Sequence, residues 1–174
     1  MKRMGILALA SVAWLSAQIS YYPFGIDQDA VSGAPDFSFL NRPLTDADRL
    51  FVKDGHFFRL GPDLTPRTED DERVRLFGVN LAFSANFPAE ADSVRIARRL
   101  RRLGVNLVRL HHMDTQPDAN PANANSILTT GPYPTLNPIA VTRLRAFLDA
   151  LKAEGIYVNL NLKVGYVFRP GVDG

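Results

Sequence analysis

The spacing of apolar and polar residues changes near residue 74, and that change organises the chain. Upstream, LFVKDGHFFRL at 50–60 sets Asp-Gly between two short runs of aromatic and branched residues. Asp54 and Gly55 suit a two-residue turn with positive φ at both positions, so this stretch predicts a β-hairpin. Downstream the pattern reads strand, helix, strand, helix, strand. VRLFGVNLAF (74–83) predicts the first strand, and EADSVRIARRLRRL (90–103) a helix. That helix is expected to bury Val94, Ala97, Leu100 and Leu103, with Ile96, and to end at Gly104. VNLVRLHH (105–112) predicts the second strand. Asn137 and Pro138 supply an N-cap and a first-turn proline for a second helix. It should bury Val141, Leu144, Leu148 and Leu151 and close at Gly155, before the third strand, IYVNLNLKV (156–164). GVNL at 78–81 and 104–107, with GIYVNL at 155–160, forms a partial echo.

Strand–helix–strand connections of this length require parallel pairing through a right-handed crossover. In the third strand Val158, Leu160 and Leu162 alternate with Tyr157, Asn159, Asn161 and Lys163. In the second, Val108 and Leu110 alternate with Leu107, Arg109 and His111; in the first, Asn80 is in phase with Gly78 and Leu76. One face of each strand thus turns polar toward its C-terminal end. An open parallel sheet covered on both faces would read as continuous apolar runs, whereas a (β/α)8 barrel turns polar at its C-terminal mouth. The expected fold class is α/β, the N-terminal part of a (β/α)8 TIM barrel of about three βα units, preceded by a β-hairpin. A full barrel takes about 250 residues, so the sequence reads as the opening piece of a longer protein. A small doubly wound domain with three parallel strands is the alternative, and it leaves sheet edges bare.

Composition sets the surroundings. Lys2 and Arg3 precede an apolar run from Met4 to Leu15, followed by Ser16-Ala17-Gln18, the order of a secretory signal cleaved after Ala17. The run is shorter than the roughly 20 apolar residues of a membrane span. The expected boundaries are a signal peptide at 1–17, an irregular lead-in at 18–49 with a helical turn at Thr45–Leu50, the hairpin and a polar connector at 50–73, and the partial barrel at 74–174. Secretion or periplasmic export follows, with no membrane contact beyond the signal. The net charge of +2 gives no reason to expect a nucleic-acid partner. Arg95, Arg98, Arg99, Arg101 and Arg102 are spaced to cover the wet side of the first helix. The chain has no cysteine, which excludes disulfides and thiolate chemistry.

The candidate chemistry is concentrated in GVNLVRLHHMDT at 104–115. As strand neighbours, His111 and His112 should point to opposite faces and so fail to share a metal ion. His111 with Asp114 lacks third and fourth ligands, so no metal is expected. Arg109, inward among apolar neighbours, calls for a carboxylate partner. An Arg109–Asp114 ion pair with the histidines capping the strand is the structural alternative.

RVRLFGVNL (73–81), AEADSVRIARRLRRLGVNLVRLHHMD (89–114) and LKAEGIYVNLNLKVG (151–165) resemble the opening of a cellulase-like glycoside hydrolase of the family-5 endoglucanase and mannanase group. The resemblance spans roughly Leu50 to Phe168. It implies a (β/α)8 barrel that cleaves a polysaccharide or oligosaccharide with retention, using two glutamates at the ends of the fourth and seventh strands, and needs no cofactor. It also implies that Arg109 orients the nucleophilic glutamate and keeps it ionised, while Asn80, His111, His112, Asp114, Asn161 and Lys163 line the substrate cleft. Lys163 stands near a place where the group often presents a histidine, a departure in this chain. Retaining hydrolysis needs one protonated and one ionised carboxyl about 5 Å apart, and a cation beside the nucleophile serves that division.

The chain's glutamates are Glu69, Glu72, Glu90 and Glu154, none expected at the C-terminal end of a strand and none preceded by asparagine. Both catalytic carboxylates are therefore expected outside this sequence, and the 174 residues alone to be inactive. A non-catalytic carbohydrate-binding or structural protein is the second reading, to which the lead-in aromatics Tyr21, Tyr22, Phe24, Phe37 and Phe39 could contribute a surface.

Overall fold

The computed structural model describes residues 36–173. The expected signal peptide at 1–17 and the lead-in aromatics Tyr21, Tyr22 and Phe24 lie outside them. The described residues form two small three-stranded sheets, one antiparallel and one parallel, with two α-helices.

The hairpin forms as the Asp-Gly signal requires. β1 (Leu50–Lys53) pairs with β2 (His56–Arg59) around Asp54 at φ 51° and Gly55 at φ 74°. β3 (Glu72–Val74) adds to β2, with Arg59 opposite Glu72, so Glu72 belongs to a strand rather than to the connector. The parallel sheet follows as β4 (Gly78–Ala82), β5 (Leu107–His111) and β6 (Tyr157–Leu160), in that spatial order. The helices α1 (Glu90–Arg102) and α2 (Pro138–Ala153) connect them and pack on each other.

The single strand expected at 74–83 is split between the two sheets. Asn106, just before β5, accepts from the Phe77 N–H at 2.7 Å and donates to the Arg75 carbonyl at 2.8 Å. These bonds satisfy the backbone where the chain leaves one sheet for the other. The echo is likewise partly spatial: Asn80 and Asn159 both lie in register with Arg109, whereas Asn106 works at the joint. The third strand ends at Leu160, short of the expected Val164, although the Asn161 N–H still donates to the Leu110 carbonyl.

The core lies between the parallel sheet and the helices. Val108 and Leu110 of β5 are fully buried with Ala97, Ala140, Phe147 and Leu151 from the helices. On α1 the small residues Ser93 and Ala97 take the buried stripe, while Val94 and Leu103, expected inside, are exposed. Ser93, Ala97 and Leu100 follow the i, i+4, i+7 spacing of one helical face, and a small-residue stripe allows close approach to α2. On α2, Leu144 and Leu148 pack at the core margin, and Phe147 is the large side chain at its centre. Asn137 caps this helix by accepting from Ile139 and Ala140 N–H, with Pro138 in the first turn.

The lead-in crosses the N-terminal ends of β5 and β6. Thr45–Asp48 forms a turn closed by the Asp48 N–H and the Thr45 carbonyl, where a helical turn was expected. Asn41 donates to the Val105 carbonyl, and Arg101 donates to the Ser38 and Asn41 carbonyls and to Glu154. Arg101 is therefore a tie between segments, not part of a solvated helix face. Gly155 has φ +78°, and a Cβ there would lie 2.3 Å from the Arg42 carbonyl oxygen, so this crossing needs glycine. The N-terminal end of the parallel sheet is thus covered. Among the described residues nothing covers its polar face, where Asn80, Arg109 and Asn159 are exposed.

Candidate active site at the strand tips

The expected polar face is assembled by the parallel register. Asn80, Arg109 and Asn159 lie side by side across β4, β5 and β6. One step toward the C-terminal ends, Ala82 lies beside His111, and Asn161 follows β6. Helices cover the opposite face of Val79, Val108 and Val158. Arg109 is exposed on the uncovered face, contrary to the expectation that it sits among apolar neighbours.

Asn161 organises this face. Its Oδ1 accepts from Arg109 Nε at 2.7 Å and lies 3.1 Å from His111 Nδ1. Arg Nε can only donate, which fixes the amide orientation and makes Nδ1 the protonated nitrogen of His111. His111 Nε2, when the ring is neutral, is then an acceptor. Among the described residues the terminal nitrogens of Arg109 have no protein acceptor. No Arg109–Asp114 ion pair forms.

Both neighbouring strands end in a bulky residue with left-handed backbone: Phe83 after β4 at φ 57° and His112 after β5 at φ 52°. Such conformations cost about 1–3 kcal/mol each and persist where surrounding contacts impose them. Here the rings stack, 5.1 Å apart and inclined by 10°. The left-handed turn at His112 also breaks the strand alternation and brings its ring within 4.1 Å of His111. The expectation that the two histidines occupy opposite faces is therefore corrected. His112 Nδ1 is buried without a hydrogen-bond partner. Asn86, fully buried, donates to the His111 carbonyl and secures the turn from the other side.

Asp114 has a different task from the one expected of a cleft residue. It is 2% exposed, and its carboxylate accepts from the backbone N–H groups of Val164, Gly165 and Tyr166 at 2.8–3.2 Å. Burial pushes its pKa up, but the three backbone donors outweigh burial and hold it below the ordinary carboxylate value. It clamps the segment after β6 onto the segment after β5. Gly165 allows the close approach, since a Cβ there would lie 2.1 Å from Thr115 Cγ2 and 3.1 Å from His112 Nδ1. Lys163 lies beyond the end of β6, with its ammonium 4.3 Å from the centre of the Phe168 ring. Of the seven residues selected from the sequence, Asn80, Arg109, His111 and Asn161 share one face, and His112 joins them at its rim. Asp114 lies beneath that rim, and Lys163 belongs to a neighbouring aromatic cluster.

Sequence reasoning missed Phe83, Asn86 and that aromatic cluster, Tyr133, Tyr166 and Phe168. The signal available for the first two was FSANF at 83–87, directly after a strand. Among the described residues, no three His, Asp or Glu side chains converge on a point where a metal could bind. No helix among them is long and apolar enough to cross a membrane. Compared with protein-family models, curated proteins and solved structures, the chain matches none.

Proposed function

We propose that this chain is the opening part of an exported (β/α)8 glycoside hydrolase of the cellulase-like kind, with Arg109 positioning a carboxylate supplied by a later strand. The observation that carries this reading is the state of Arg109. It stands mid-strand on a polar sheet face, is held at Nε by Asn161, and leaves both terminal nitrogens without a protein acceptor. A guanidinium fixed in this way is prepared to take a carboxylate end-on through two N–H donors. A cation so placed keeps a nucleophilic carboxyl ionised while a second carboxyl retains its proton.

Three further features support the reading. The polar face points away from the helices, as the inside of a barrel does. The N-terminal ends of β5 and β6 are covered by the lead-in, while the strained turns gather at the C-terminal ends, where barrel enzymes place their chemistry. Among the described residues no further strand pairs with the outer edges of β4 and β6, and additional strands would satisfy those edges.

The placement of the glutamates favours a second reading, a carbohydrate-binding protein without catalysis. Glu72 lies in the antiparallel sheet, Glu90 opens α1 and Glu154 caps α2, so none of these three reaches a parallel strand tip. Expression with any downstream coding sequence, assayed for reducing ends on β-glucan and β-mannan, separates the two. The first reading expects turnover that Arg109→Ala lowers by at least about a hundredfold with the fold retained. Turnover unchanged in Arg109→Ala overturns it; binding without turnover selects the second.

A further inference from the structure

The segment that covers the N-terminal end of the parallel sheet carries apolar side chains outward. Phe39 is 76% exposed and Leu40 61%, side by side in the single helical turn Ser38–Leu40. Leu103, at the end of α1, is 51% exposed. Gly104 follows it, and a Cβ there would lie 3.2 Å from Phe37 and 3.7 Å from Leu40, so the two segments form one surface. The Phe37 N–H also donates to the Arg102 carbonyl. A hollow of about 380 Å³ adjoins Leu40, with Arg42, Arg75 and Asn106 in its walls.

Arginines surround these side chains in excess of carboxylates. Arg42 pairs with Asp48, Arg59 with Glu72, and Arg98 and Arg101 with Glu154, while Asp36 lies in the field of Arg102 and Arg101. Each of these carboxylates is thus matched by an arginine. Arg73 meets the His56 ring, and among the described residues the Arg75 guanidinium has no protein acceptor. Arg73 and Arg75 remain as surplus positive charge beside the apolar tips.

We infer that this surface docks onto an anionic lipid bilayer, with Phe39 and Leu40 entering the boundary between headgroups and acyl chains and the surrounding arginines meeting lipid phosphates. The inference is independent of the glycan reading. It departs from the sequence expectation of no membrane contact beyond the signal, since a surface contact needs no spanning helix. Burial of the apolar tips supplies the attachment, and attraction between arginine and anionic headgroups adds to it and sets the orientation. Guanidinium grips phosphate oxygens through paired N–H donors and gives up its hydration more readily than ammonium does. Phe39 and Leu40 project from one short turn, so they can enter a fluid layer without a shaped counterpart. A protein partner would need a broad complementary surface instead. The surface flanks the N-terminal ends of β5 and β6, so docking leaves the strand tips at the opposite end free.

The test is flotation with vesicles of phosphatidylcholine, alone or with about 30% phosphatidylglycerol. The full chain and the chain lacking residues 1–17 are compared, because the apolar run Met4–Leu15 would bind lipid by itself; circular dichroism verifies folding. Both are expected to bind the anionic vesicles, and the shortened chain to bind pure phosphatidylcholine at least about tenfold more weakly. In the shortened chain, Phe39→Ser and Leu40→Ser should each weaken anionic binding about tenfold, and Arg75→Glu about fivefold or more. Arg145→Glu, the same charge change at an exposed position on α2, should stay within about twofold. Affinity unchanged in Phe39→Ser and Arg75→Glu overturns the inference, as does an equal loss in Arg145→Glu, which marks a general charge effect. Binding that requires residues 1–17, or no binding at all, overturns it too. Tighter binding of single-stranded RNA weakened by the same variants assigns the surface to nucleic acid, and self-association lost in Phe39→Ser without vesicle binding assigns it to a second copy; either result also overturns it.

Discussion

Replacing Asp114 by asparagine removes one charge and almost no volume, which makes it a sharp probe of how the strand tips are held together. Oδ2 accepts from Val164 and Tyr166 N–H at 2.8 and 3.1 Å, and Gly165 N–H lies 3.1 and 3.2 Å from the two oxygens. Hydrogen bonds to a charged acceptor contribute about 1.5–3 kcal/mol each, against about 0.5–1.5 for neutral pairs. The amide can keep its oxygen at the Oδ2 position, but all three bonds lose charge assistance, and its NH2 then faces the Gly165 N–H. Relief from burying a charge offsets part of the loss. The net cost is about 2 kcal/mol, or a fall of roughly 5–10 °C in melting temperature. It should be concentrated locally, with amide hydrogen exchange at 164–166 accelerating about thirtyfold. Acid offers a second arm. The native carboxyl titrates below its ordinary value, so the clamp is intact at neutral pH and weakens as the pH falls through that lowered value. In Asp114→Asn the exchange rates at 164–166, corrected for intrinsic chemistry, should lose this acid dependence. Unchanged protection of these three amides in the variant would refute the clamp.

Asp48, its side chain 4% exposed, is pushed up by burial but brought down to about 2 by Arg42 and by the Thr45 N–H and hydroxyl. Its contribution, roughly 2 kcal/mol, is present above the unfolded value and lost as the pH falls through the folded one. Asp48→Asn should therefore cost about that much in urea melts at pH 7 and almost nothing near pH 2; equal costs at both would contradict the assignment. Phe147→Ala empties the centre of the core and should destabilise the fold by about 3–5 kcal/mol. A loss under about 1 kcal/mol, measured in the same melts, would place the core elsewhere.

Much of the architecture was legible along the chain because it rests on local chemistry. Asp54-Gly55 specified the hairpin turn, Asn137-Pro138 the start of α2, and Gly104 and Gly155 the helix ends, each through backbone demands that its nearest neighbours set. Alternation of period two marked Asn80, Arg109, His111 and Asn161 as one face, since side chains in a strand have no other choice. The same periodicity misplaced His112, because a single left-handed residue, whose ring stacks on Phe83 just after β4, reverses the direction of its side chain. Val94 and Leu103 were misassigned because helix spacing gives the faces of a helix, whereas the approach of α2 decides which face is buried. The split near Phe77 depends on Asn106, 29 residues later, and the aromatic cluster on the docking of 163–173 against 130–133. The sequence by itself thus determined the elements and the polar residues they carry. Only the tertiary structure decided that Asp114 is spent on backbone N–H groups, that Asn161 joins Arg109 to His111, and that three aromatic rings meet. Each of these contacts spans about thirty to fifty residues, and which partners meet across such a distance is set by the packing of the intervening helix α2.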